Sequence, residues 1–150
     1  MNSDRDQILD VLYAYASHLD KGTPEGLGTE VFAADAVIDL GYGRWEGRER
    51  LVREYSTEIR QFGGTAHILT NARIQIDSDT AVSSIYVTAW HWPKEDSASP
   101  HAEADFVTIG VYLDKLERRE EGWRITHRRF RRLGPSAIAI GRFPDFIDLS

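Results

Sequence analysis

The sequence contains no cysteine, only three lysines and one methionine among its 150 residues. The absence of cysteine excludes a disulfide framework, a thiolate nucleophile and a zinc–thiolate site. The sequence also lacks any apolar run of the roughly 20 residues that a membrane helix needs, so no membrane partner is expected. The first residues are polar and acidic, which is not typical of a secretory signal, and we expect a cytoplasmic protein.

The charge balance is acidic, with a net charge of −6. Nucleic-acid-binding proteins usually carry a basic surface, so we expect no nucleic-acid partner. Residues 118–132 are the exception, since seven arginines against two glutamates give this segment a charge of 7 − 2 = +5. The hydrophobic fraction of 41% and the charged fraction of 28% are typical of one globular domain.

Apolar residues at helical spacing predict a first helix over about residues 4–20, and a second, short helix follows it. Residues 36–40 are predicted to form a short strand. A third helix is predicted to begin near Gly47 and to end at the Gly63-Gly64 pair.

From residue 65 onward, alternating β-branched and aromatic residues predict four antiparallel strands, at about residues 65–76, 80–92, 103–119 and 123–133. Helices that precede a strand meander predict an α+β fold, in which a long curved sheet wraps three helices and leaves an apolar cavity. We expect residues 1–134 to form one domain. The apolar tail, residues 135–150, is predicted to pack over the pocket or onto a partner subunit.

Asp20 lies on the apolar face of the first predicted helix. Positions 8, 12, 16 and 20 are four residues apart, so Asp20 continues the stripe of Ile8, Leu12 and Ala16. Burial and the negative end of the helix dipole would both raise the pKa of this carboxyl group. The alternative is an exposed aspartate in the turn before Gly22.

His67 lies early in the first long strand and can point toward the helices. A carboxylate that orients an imidazole makes it a general base near neutral pH, so Asp20 and His67 form a candidate catalytic pair. Alternatively, His67 is a structural residue of the strand. No metal-ligand spacing, phosphate loop or dinucleotide fingerprint is present, and we expect no cofactor and no metal.

Several motifs together resemble the SnoaL-like family of the nuclear transport factor 2 superfamily, over roughly residues 5–133. They are FAADA at residues 32–36, HILTN at 67–71, VYLD at 111–114 and GWRI at 122–125. The resemblance implies a cone-shaped α+β barrel with a deep pocket, cofactor-free chemistry and a homodimer or homotrimer. The family includes scytalone dehydratase, bile acid 7α-dehydratase, lindane dehydrochlorinase, polyketide cyclases and steroid isomerases.

The resemblance also implies the site residues. Asp20 and His67 match the catalytic Asp-His pair of the dehydratases, Tyr15 matches a tyrosine of the bile acid enzyme, and Arg128 matches a pocket arginine on the last strand. The dehydrochlorinase has lysine at the position of Tyr15, which makes dechlorination doubtful for this chain. Alternatively, Tyr15 is a core tyrosine. We expect substrate contacts from Tyr42, Trp45, Tyr55, Asn71, His91 and Tyr112.

The predicted function is a cofactor-independent, dehydratase-like lyase for a small apolar or cyclic substrate. His67, held by Asp20, would remove a proton from carbon, and Tyr15 or Arg128 would assist the leaving hydroxyl or stabilise an oxyanion. The same pair could serve a polyketide cyclase or a ketosteroid-type isomerase. The alternative to an enzyme is a non-catalytic ligand-binding or assembly module, which predicts that Asp20 and His67 do not touch.

Overall fold

The computed structural model describes residues 3–41, 43–94 and 106–134. In chain order the elements are α1 (Asp4–Lys21), a π-helical turn (Leu27–Val31), β1 (Phe32–Asp39), β2 (Arg44–Glu46), α2 (Arg48–Ile59), β3 (Phe62–Asp77), β4 (Thr80–Pro93), β5 (Phe106–Arg119) and β6 (Gly122–Arg132).

The six strands form one sheet in the order β2-β1-β6-β5-β4-β3. Only the β1–β6 pair is parallel, and the other four neighbouring pairs are antiparallel. The sheet is open, with β2 and β3 at its edges. The three helical segments pack against this sheet, so the predicted α+β fold is confirmed.

Helix α1 begins and ends at the positions that its sequence predicts. Ser3 and Asp6 form a capping box at its start, and Gly22 ends it in a left-handed conformation (φ +66°). Ile8 and Leu12 are fully buried on the face that the spacing indicates. Because α1 ends before Gly22, Asp20 lies in its last turn, beside β3.

Other boundaries differ from the prediction. Helix α2 ends at Ile59, and the Gly63-Gly64 pair lies inside β3 rather than ending the helix. Strand β1 begins at Phe32, before the predicted residue 36, because it pairs with β6, which follows 90 residues later in the chain. The three-residue β2 is too short to give a period in the sequence.

Strand β3 contains a bulge at Asn71, where the register with β4 shifts between Thr70 and Arg73. Asn71 has a φ of +57°, a left-handed conformation that asparagine tolerates better than most residues. The extra residue changes which side chains face inward. His67 and Leu69 face the helices before the bulge, whereas Ile74 does so after it.

Within the described ranges, no helix is long and apolar enough to cross a bilayer. The predicted tail, residues 135–150, and most of the predicted loop between β4 and β5 lie outside the described residues.

Candidate active site

A cavity of about 360 Å³ lies between α1, α2 and the inner face of the sheet. Its apolar wall consists of Leu19, Leu40, Ile59, Phe62, Val87, Ala89 and Phe130. Polar and ionisable side chains line the remainder: Tyr15, Tyr55, Glu58, Gln61, Thr65, His67, His91, Thr108 and Tyr112. This volume falls near the lower end of small-molecule pockets, which run from roughly 300 to 1,000 Å³.

Asp20 and His67 are in direct contact at one side of this cavity. Asp20 Oδ1 lies 2.7 Å from Nδ1 of His67, and the same oxygen accepts a hydrogen bond from the Thr65 hydroxyl at 3.0 Å. The backbone N–H of His67 donates to Asp20 Oδ2 at 2.9 Å. Three groups of β3 therefore hold one carboxylate at the end of α1.

The pKa of Asp20 differs from the expectation that burial and the helix dipole would raise it. Its side chain is 29% exposed. Partial burial raises its pKa, but the hydrogen bonds and charge of His67 and the Thr65 hydroxyl outweigh burial and lower the pKa below its ordinary value of 3.8. Asp20 is therefore an ionised acceptor at neutral pH, and the predicted rise of its pKa is wrong.

The ionised carboxylate fixes how His67 is protonated. Since Asp20 can only accept, the Nδ1 atom of His67 carries the hydrogen, and Nε2 keeps its lone pair when the ring is neutral. The His67 side chain is 7% exposed and lines the cavity. Its ring lies edge-on to Tyr15 and His91, with centroids 6.4 and 5.9 Å away.

Three tyrosines form a polar wall of the cavity. The hydroxyls of Tyr15 and Tyr55 are 3.0 Å apart, and the rings of Tyr15 and Tyr112 meet edge-on at 5.4 Å. Burial raises the pKa of Tyr15 and of Tyr112 well above 10. Both phenols therefore stay neutral and are able to donate hydrogen bonds.

A family model for the SnoaL-like domain matches residues 2–129. The chain belongs to the SnoaL-like family. The predicted resemblance is thereby confirmed.

Comparison with relatives supports the same assignment. Rv2910c of Mycobacterium tuberculosis, an uncharacterized protein, is 30% identical over 84% of this chain and 83% of its own. A provisionally named scytalone dehydratase from Novosphingobium aromaticivorans is 23% identical, with a TM-score of 0.76 over 92% of this chain and 93% of its own. A type 2 LinA, a hexachlorocyclohexane dehydrochlorinase, is 20% identical, with a TM-score of 0.78 over 95% of both chains. At these identities, the two structures show a shared fold.

Arg128 of this SnoaL-like domain lies behind the cavity wall and not, as predicted, in the wall itself. It is completely buried, and its Nε and Nη2 atoms donate to the two carboxylate oxygens of Asp114, each at 2.8 Å. Its guanidinium carbon lies 4.1 and 4.2 Å from the ring centroids of Tyr15 and Tyr112. The tyrosines therefore separate the arginine from the cavity.

The remaining predicted substrate contacts divide into two groups. Tyr55, His91 and Tyr112 line the cavity. Trp45 does not, because it packs its ring against Tyr55, with centroids 5.4 Å apart.

Asn71, which was also predicted to contact substrate, is exposed and lies at the β3 bulge, away from the cavity lining. The bulge explains this difference, since regular β pairing would have put Asn71 on the same face as His67. Tyr42 lies outside the described residues.

Two residues that hold Asp20 and Arg128 in place were not singled out from the sequence. Thr65 precedes His67 by two residues, so the two-residue period of a strand could have placed both on one face. Asp114 pairs with Arg128 across β5 and β6, and no local pattern indicates that register. Among the described residues, no group of three or more His, Asp or Glu side chains is placed to hold a metal ion.

Proposed function

We propose that this SnoaL-like protein is a cofactor-independent lyase of the dehydratase type, acting on a small, mostly apolar, cyclic substrate. One observation carries the proposal: the ionised Asp20 carboxylate holds Nδ1 of His67 at 2.7 Å, at the wall of a largely apolar cavity. This arrangement leaves Nε2 as a base toward the substrate.

In the proposed reaction, His67 Nε2 takes a proton from a substrate carbon. The electrons of that C–H bond form a carbon–carbon double bond as the neighbouring C–O bond breaks. The departing hydroxyl takes up one proton, supplied by His67 directly or through Tyr15, and leaves as water. Atoms and charge balance without an oxidant, a reductant or a metal.

Asp20 favours this step because its negative charge stabilises the imidazolium that forms on His67. The hydrogen bonds from Thr65 and from the backbone of His67 keep the carboxylate in place during the proton transfer. A pre-positioned partner of this kind avoids the reorganisation that water would need.

The size and lining of the cavity support a small substrate. About 360 Å³ is room for one or two fused rings, and its apolar wall suits hydrocarbon atoms. The neutral phenols in the cavity lining suit one or two oxygen substituents.

The test is carbon-bound proton exchange. Small cyclic β-hydroxy ketones are incubated in D₂O, and NMR follows both deuterium incorporation and loss of water. We expect wild-type protein to catalyse both, and His67→Gln to reduce both rates by about 10²–10⁴-fold. His127→Gln, on the outer side of β6, is the matched control and should keep the wild-type rates.

The possible outcomes separate the candidate reactions. Exchange without elimination would replace the lyase by an isomerase or cyclase that uses the same pair. Saturable binding of the ketones with neither exchange nor elimination would replace it by a ligand-binding module.

We further propose that the protein is a homodimer or homotrimer. Ile68 and Ile109 both pair with Thr88 on adjacent strands and are exposed, as is Tyr86 on the same outer face of the sheet. An exposed apolar face of this kind is typical of a surface that another subunit covers in solution. Sedimentation equilibrium measures the state, and a monomer at micromolar concentration would contradict the proposal.

A further inference from the structure

The Arg128–Asp114 ion pair is fully enclosed, with no exposed surface on either side chain. Moving such a pair out of water is unfavourable, and well-packed apolar residues are often equally or more stable in its place. Moreover, Nη1 of Arg128 has no hydrogen-bond partner among the described residues. Stability alone therefore gives a weak explanation for the pair.

The position of the guanidinium suggests a different role. Its central carbon is nearly equidistant from the rings of Tyr15 and Tyr112, at 4.1 and 4.2 Å, and both tyrosines line the cavity. A cation over an aromatic face attracts the ring electrons and holds the ring in place. It also withdraws charge from the phenol oxygen, which makes the hydroxyl a stronger hydrogen-bond donor.

The same effect is visible in the ionisation of the phenols. Burial raises the pKa of both tyrosines, and the positive charge of Arg128 opposes that rise. Asp114 acts on Tyr112 in the opposite sense, because a nearby negative charge disfavours a phenolate. The carboxylate thus moderates the influence of the guanidinium.

We propose that Arg128 is a positioning residue that acts on substrate through Tyr15 and Tyr112, and that Asp114 sets how strongly it does so. The inference rests on the proposed function for the reaction that it serves, since the tyrosines would stabilise negative charge on a substrate oxygen. The strength of the tyrosines as donors, however, can be measured without turnover.

The experiment uses 4-nitrophenolate as a probe, because it is a small ring with a negative oxygen and its absorbance changes on binding. The neutral ether 4-nitroanisole has nearly the same shape and reports on the cavity alone. Affinities are measured for wild-type protein, for Asp114→Asn and for the double variant Arg128→Met/Asp114→Leu.

The two changes should act in opposite directions. Asp114→Asn leaves the cation without its counter-charge, and we expect it to bind 4-nitrophenolate about tenfold more tightly. The double variant removes both charges and should bind it about tenfold more weakly. Binding of 4-nitroanisole should stay within about twofold throughout, because its oxygen carries no charge. The double variant replaces a buried pair by apolar side chains, so it tests the proposal even if Asp114→Asn does not fold.

A double-mutant cycle tests whether the tyrosines transmit the effect. In a Tyr15→Phe/Tyr112→Phe background, the gain from Asp114→Asn should disappear. Retention of the full gain there would overturn the proposal, because Arg128 would then act on the ligand directly. The proposal would also be overturned if Asp114→Asn and Arg128→Met/Asp114→Leu weakened the binding of 4-nitrophenolate equally, or if neither changed it. The ion pair would then have only a structural role.

His67→Gln separates this inference from the proposed function. It should abolish elimination but keep the ratio of phenolate affinities between the Asp114 and Arg128 variants. If turnover depends on His67 but the Asp114 and Arg128 variants bind 4-nitrophenolate equally well, only the role of Arg128 is rejected. If these variants differ in affinity as expected but no turnover depends on His67, only the lyase is rejected.

Discussion

Two carboxylates that each bind a basic side chain flank the same cavity, and the two pairs differ in their contact with solvent. Asp20 meets His67 at 2.7 Å, with the two side chains 29% and 7% exposed. Asp114 meets Arg128 through two hydrogen bonds of 2.8 Å, with both side chains completely buried. Both pairs join residues on different elements, yet only the first pair borders the cavity through its basic partner, His67.

The difference lies in which basic side chain can meet a ligand. His67 lines the cavity, so its ring can contact a substrate directly. Arg128 does not line the cavity, and although burial lowers its pKa, the charge and hydrogen bonds of Asp114 raise it further above its already high value. In the proposed reaction the first pair therefore transfers a proton, whereas the second pair keeps its charges fixed.

The largest effect is expected from removing the charge of Asp20. Asp20→Asn keeps the shape of the side chain but cannot stabilise the imidazolium, so we expect elimination and exchange rates to fall by about 10²–10⁴-fold. The measurement is NMR turnover, with circular dichroism to show an intact fold. Asp10→Asn, exposed on the same helix, is the control, and near-wild-type rates in Asp20→Asn would remove Asp20 from the mechanism.

Removal of one partner from the buried pair should act on stability. Arg128→Ala leaves Asp114 buried without a counter-charge, which costs about 3–5 kcal/mol in the free energy of unfolding. Urea denaturation measures this change. Arg129→Ala, its exposed neighbour on β6, should cost less than about 0.5 kcal/mol. Equal losses for the two arginines would show that burial does not distinguish them.

The acid dependence of stability should also distinguish the pairs. The folded pKa of Asp20 is lowered, so its contribution is complete above its ordinary value of 3.8 and is lost as pH falls through the lower folded value. The stability difference between wild-type protein and Asp20→Asn should therefore shrink when the pH falls below about 4. Parallel urea titrations check this, and a difference that stays constant down to pH 2 would contradict it.

The smallest effect is expected at Thr65, which supports Asp20 from β3. Thr65→Val removes the 3.0 Å hydrogen bond to Oδ1 but leaves both bonds from His67. Loss of one such bond is worth about 0.5–1.5 kcal/mol, so we expect turnover to fall about two- to tenfold. Thr70→Val, exposed on the same strand, is the control. A loss as large as that of Asp20→Asn would mean that Thr65 has a role of its own.

Much of the candidate site could be predicted because it rests on short-range periodicity. Asp20 follows Ala16 by one helical turn, and His67 lies in a strand with β-branched and aromatic neighbours. These two positions led to the proposed pair, and the resemblance to the SnoaL-like family then supported it. Asn71 was misplaced because a bulge inserts one residue, which no composition signal near residue 71 reveals.

By itself, the sequence determined the order of the helices and of every strand except β2, the positions at which α1 begins and ends, and the absence of thiol chemistry. Only the tertiary structure decided that Asp20 would remain partly exposed and ionised, that Arg128 would pair with Asp114, and that two tyrosines would separate Arg128 from the cavity. The physical reason is how far apart along the chain the interacting residues lie. Helix and strand periods are set by neighbours a few residues away, whereas burial and charge pairing depend on which strands meet and in what register.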